Sequence, residues 1–139
     1  MTKSGLLLCT ALALTVTVTT GALAQPVDPY ADSDRKQRAA TYLAYRDQIL
    51  ANIKLFYFAK GCKVLTKDGA DGLRNHYNKT LWETPQFLNA EPTSSKIART
   101  QAAEREGTAQ ATEPDACDWF KARPEVVRSL REMQERGVH

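Results

Sequence analysis

Histidine is scarce in this chain: among 139 residues only His76 and the terminal His139 occur. So few imidazoles leave a zinc site short of ligands, and no Cys-x-x-Cys supplies the alternative. Haem attachment has no C-x-x-C-H to use. No glycine-rich loop ends in Gly-Lys-Ser/Thr, so nucleotide phosphates lack that cradle. The apolar–polar alternation of a half-buried strand is missing, and no internal repeat is visible. Charge of one sign is missing too. The formal net charge is +3, and Lys/Arg are interleaved with Asp/Glu along the chain, which argues against a nucleic-acid partner.

Long apolar runs are confined to the start. Lys3 is the only charge before Asp28, and Leu6 to Val18 consists of Leu, Ala, Val and Thr with Cys9 among them. Ala22-Leu23-Ala24 follows. A basic start, a short apolar middle and an A-x-A end predict a secretory signal peptide over residues 1–24, cleaved between Ala24 and Gln25. The run is shorter than the ~17–25 residues that span hydrocarbon. Cys9 follows a bulky leucine inside the run, which disfavours lipoprotein processing. No membrane span is expected after removal, and about 115 residues remain, one domain's worth.

Loss of Cys9 leaves Cys62 and Cys117. In an oxidising compartment one pairing is possible, and a Cys62–Cys117 disulfide is expected.

Within the mature chain, Pro26 and Pro29 predict an irregular lead-in over residues 25–31. Asp32, Ser33 and Asp34 offer N-cap chemistry, and no Pro or Gly follows until Gly61, read as the C-terminal cap of a helix of roughly seven turns. Ala39, Tyr42, Leu43, Arg46, Ile49, Leu50 and Ile53 recur at spacings of three and four. Leu55-Phe56-Tyr57-Phe58-Ala59 instead points apolar groups all around the axis, so it must be wrapped by other elements. Ala70 to Trp82 predicts a second helix, after a turn at Thr66-Lys67-Asp68-Gly69. Phe87 and Leu88 are expected to tuck inward from a loop between Pro85 and Pro92. A third helix from Thr93-Ser94-Ser95 to about Arg105 is rich in helix formers but poor in core material, with Gly107 as its interruption, and exposure is expected there. Thr112-Glu113-Pro114-Asp115 starts a short helix over Ala116 to Ala122. Pro124 opens the last helix, with Val126, Val127, Leu130 and Met133 on one face and Gly137 at its end. The class is all-α: a small domain of about four to five helices, the first one long, closed by one disulfide.

Several short patterns invite a chemical reading. Lys67 to Gly72 resembles a calcium or phosphate loop only briefly, because its aspartates are three apart and the twelfth residue from Asp68 is Lys79. His76 lacks a carboxylate at helical spacing, Asp71 being five residues away; a Cys62–His76 thiol site would leave Cys117 unpaired. Lys54, Lys60 and Lys63 suit a solvated rim. Asn78-Lys79-Thr80 fits the glycosylation triplet. Phe56, Phe58, Trp82, Trp119 and Phe120 are the candidates for a ligand or partner surface. No catalytic, metal or cofactor set emerges. The sequence therefore suggests a non-enzymatic helical protein of the bacterial periplasm or cell envelope, acting through an envelope protein partner. A carrier of a small apolar ligand in an interhelical cavity is the alternative.

Overall fold

The computed structural model describes residues 29–137 apart from residue 86. These form five helices: α1 (Pro29–Gly61), α2 (Lys67–Glu83), α3 (Thr93–Gln110), α4 (Asp118–Lys121) and α5 (Pro124–Glu135). No strand occurs among them, as the periodicity implied. The expected signal segment 1–24, with its cleavage point at Ala24 and Gln25, lies outside the described residues.

Both ends of α1 differ from expectation. Residues 29–31, read as part of an irregular lead-in, are already helical. Proline has no N–H to lose and its fixed φ suits a first turn, so Pro29 starts the helix and Asp32, Ser33 and Asp34 fall inside it. Gly61 is helical as well. The left-handed residue that ends α1 is Lys63, at φ 59°. Val64 N donates to Ala59 O at 2.8 Å and Lys63 N to Lys60 O at 3.0 Å, the paired bonds of a Schellman motif. Gly61 serves contact instead: a Cβ there would lie 2.2 Å from the Ala111 Cβ.

Three helices build the body. Lys54 meets Glu106 and Gly61 meets Ala111, so α3 runs parallel to α1. Arg74 pairs with Glu104 and Asn78 with Thr100, so α2 runs antiparallel to α3. The expectation that α3 would be loosely packed is wrong. Its small residues are what let it approach: a Cβ on Gly107 would stand 2.1 Å from Lys54 O and 3.0 Å from Phe58 N, both backbone atoms of α1. Ala103 and Thr100 are buried on the same side, and Gly107 passes within the helix rather than interrupting it. Lys96, only 2 % exposed, donates to the carbonyls of Phe87 and Leu88 at 3.0 and 3.1 Å, tying the connection before α3 to the body.

The apolar-all-round segment of α1 is wrapped as its composition demands. Phe56, Tyr57, Phe58 and Ala59 are all buried. Each large ring meets a different neighbour. Phe56 packs on Tyr77 of α2 at 5.3 Å, Tyr57 donates its hydroxyl to Asp71 of α2 at 2.5 Å, and Phe58 stacks on Phe120 of α4 at 4.7 Å. Burying such side chains contributes about 1.5–3 kcal/mol each, enough to fix α1 as the axis of the fold.

The turn read at Thr66–Gly69 is instead the cap and first turn of α2. The Thr66 hydroxyl accepts from Gly69 N at 3.0 Å. It also donates to Gln134 Oε1 of α5, which accepts from Thr66 N as well, at 2.9 Å. The Thr112–Asp115 segment forms turns, and helix begins only at Asp118. α5 lies as expected: Leu130 is buried, Val126, Val127 and Met133 pack against the core, and Gly137 at φ 51° follows its end. The Cys62–Cys117 disulfide joins the end of α1 to the start of α4 across 55 residues, with the Cα atoms 5.4 Å apart.

Candidate functional site

The five residues expected to share a ligand or partner surface do not share one. Phe56, Phe58 and Phe120 are buried in the core, a consequence of α1 being enclosed on all sides. Phe58 and Phe120 pack ring against ring at 4.7 Å between α1 and α4. Trp119 lies at the edge of that cluster, one-third exposed, with the Arg123 guanidinium over its ring at 4.4 Å. Trp82 lines a groove of about 380 Å³ between α2 and α3. There the Arg74–Glu104 and Asn78–Thr100 pairs satisfy one another at 3.0 and 3.1 Å, while the buried Trp82 Nε1 has no hydrogen-bond partner among the described residues.

The remaining sequence candidates resolve into structural roles. Cys62 is oxidised, which removes the thiol from any pairing with His76. His76 packs edge-on against Tyr77 at 5.6 Å, beside a shallow depression that includes Lys79 and Glu83. Asp71 is taken by Tyr57 and by Lys67, whose hydrogen bonds hold its carboxyl below the usual carboxylate range. Asn78 of the glycosylation triplet is 8 % exposed inside α2, and its side-chain oxygen accepts from Thr100. Lys54 faces Glu106 at 3.4 Å and Lys60 lies over the Tyr57 ring at 4.4 Å. Among the described residues no cluster of three His, Cys, Asp or Glu is placed to hold a metal ion, and no helix is long and apolar enough to cross a membrane.

The site that stands out was missed by reading charges along the chain. α1 is roughly 50 Å long at 1.5 Å per residue, whereas α3 covers about half that length, so α1 outruns its main neighbour. The core face of α1 includes Ile49 and Ile53. Toward the N-terminus the same spacing gives Tyr42, Ala39 and Arg35. Here, among the described residues, the connection between α2 and α3 packs on it: Phe87 meets Tyr42 at 5.3 Å and Tyr45 at 5.4 Å, and Tyr42 donates its hydroxyl to Glu91 at 2.5 Å. A groove of about 480 Å³ results, lined on the α1 side by Arg35, Arg38, Ala39, Tyr42, Leu43 and Arg46, and opposite by Pro85, Asn89, Ala90 and Glu91.

Both apolar and cationic groups are uncovered here. Leu43 is 46 % exposed, and Tyr45 and Leu88 nearby are 38 % and 54 % exposed. Leu88 was expected to turn inward, but of the two only Phe87 packs against the core, on the Tyr42 and Tyr45 rings. Arg35, Arg38 and Arg46 reach the groove while Asp34 and Asp47, which alternate with them in sequence, do not line it. Helical winding has sorted what looked interleaved. Burial pushes the Glu91 carboxyl up, but the hydrogen bonds from Tyr42 and Arg99 outweigh it and hold the group charged below its ordinary range. Burial and the same carboxylate push the Tyr42 hydroxyl up, so it stays protonated and remains a donor.

No protein-family model matches the chain, and no curated protein or solved structure is significantly similar to it.

Proposed function

We propose that this chain is an exported, non-enzymatic interaction protein of the bacterial periplasm or cell envelope. It engages an envelope protein through the open end of α1. One observation carries this: beside the covered Tyr42, α1 leaves Ala39 and Leu43 exposed in a groove that it shares with the connection between α2 and α3. Ala39 and Leu43, with Tyr45 and Leu88 nearby, gather exposed apolar groups at one place on the surface, which favours a partner over solvent. Export rests on the N-terminal segment, and the disulfide fits an oxidising compartment.

A photocrosslinking residue at Leu43, in chain expressed in its native cell, tests the docking. A discrete protein adduct is expected at Leu43 and not at Arg131 on the far side of the molecule. Absence of any adduct, with purified protein strictly monomeric, would remove the basis for a docking role. Amino-terminal sequencing of the extracytoplasmic form is expected to start at Gln25.

A further inference from the structure

We infer that the groove at the open end of α1 takes an acidic, amphipathic helix of the partner protein. This rests on the docking reading above and gives it a chemistry.

Arg35, Ala39, Tyr42, Arg46, Ile49 and Ile53 follow one another at alternating steps of four and three, the seam of a helix–helix contact. In the body of the protein α3 packs along α1, and its first residue is Thr93. With Lys54 meeting Glu106 and Gly61 meeting Ala111, Thr93 lies near Tyr42, so beyond α3 the seam runs from Tyr42 to Arg35 for about 10 Å, with Ala39 and Arg35 exposed on it, room for about two turns of a second helix. A helix is favoured over a strand because ridges at steps of three and four are what another helix fills.

Charge then selects the occupant. Arg35 and Arg38 are exposed in the groove, whereas Arg46 is largely covered and already paired with Asp47 at 2.8 Å. The one carboxylate lining the groove, Glu91, is already engaged by Tyr42 and by Arg99, at 2.5 and 3.2 Å. A neutral or basic helix laid here would strip water from Arg35 and Arg38 without pairing them, whereas flanking glutamates would pair them. Burial of Leu43 supplies the apolar anchor. A lipid surface is disfavoured, since the stripe offers Ala39 and Leu43 where membrane-lying helices present Trp, Phe and several Leu.

The test uses the full disulfide-bonded chain and a fluorescent peptide of about 18 residues with Leu at the seam positions and Glu flanking them. Its partner is the same peptide with Lys for Glu. Saturable binding of the Glu peptide, weakened by salt, is expected, with the Lys peptide at least tenfold weaker. Arg35→Glu/Arg38→Glu lies on exposed positions and should retain the parent circular dichroism. It should lose about tenfold for the Glu peptide and gain for the Lys peptide. Equal binding of the two peptides, or no exchange of preference in the variant, overturns the inference. So does binding to phosphatidylglycerol vesicles, or a dimer of the parent chain, that the same substitutions abolish. A Leu43 crosslink to a protein with no acidic helix at the contact sinks this chemistry but leaves the docking role standing; no crosslink at all sinks the docking role itself.

Discussion

Lys63 holds a backbone conformation that costs an L-residue about 1–2 kcal/mol, at φ 59° where α1 ends. Glycine avoids that cost but loses about 0.5–1 kcal/mol more chain entropy on folding. The difference favours substitution. Lys63→Gly is expected to stabilise the protein by up to about 1 kcal/mol, seen as a higher urea midpoint with unchanged slope. Asp71 acts in the opposite sense under acid. Lys67 and Tyr57 hold its folded pKa below the ordinary 3.8. A depressed carboxyl adds stability above its unfolded pKa, and that contribution is lost as pH falls through the folded value. Asp71→Asn should therefore cost about 1–2 kcal/mol at pH 6. The gap between variant and parent midpoints should shrink below about pH 4; a gap constant down to pH 2.5 would refute the assignment.

The start of α2 is capped from another helix. In a capping box the third helical residue turns its Glu or Gln back to the N-cap N–H. That position is Gly69, and the amide oxygen doing the job belongs to Gln134 of α5, 2.9 Å from Thr66 N. A Cβ on Gly69 would lie 2.0 Å from that oxygen, so the two solutions exclude each other. Gln134→Ala is expected to cost about 1 kcal/mol. Gly69→Glu alone should also destabilise. Gly69→Glu/Gln134→Ala should recover most of the loss by rebuilding the local box, giving a favourable coupling in a double-mutant cycle.

The disulfide ties the long axis helix to the C-terminal helices, which otherwise meet the body mainly through Phe120 on Phe58 and α5 against α2. Closing 55 residues restricts the unfolded chain by about 4 kcal/mol on the loop-entropy account. Cys62→Ala/Cys117→Ala should lower the urea midpoint accordingly. The α1–α3 pair and its groove do not pass through the bridge. Peptide binding at Arg35 and Arg38 should thus outlast reduction under conditions where the body stays folded.

The order of residues alone determined the helical class, the axis role of Leu55 to Ala59, the apolar face of α5 and the cysteine pairing. Each depends on local periodicity or on there being a single partner to choose. Three features waited on the tertiary arrangement. Gly61, Gly69 and Gly107 read locally as cap, turn and break, yet they serve close approach by Ala111, by Gln134 and by the backbone of α1, which no local pattern records. α3 looked too polar to pack, because its value lies in what its small residues omit rather than in apolar area. Arg35, Arg38 and Arg46 alternate with acids along the chain and gather only once winding and the 85–91 connection form one groove. Short-range spacing sets which helix forms; contact between distant segments sets which of its faces is left open.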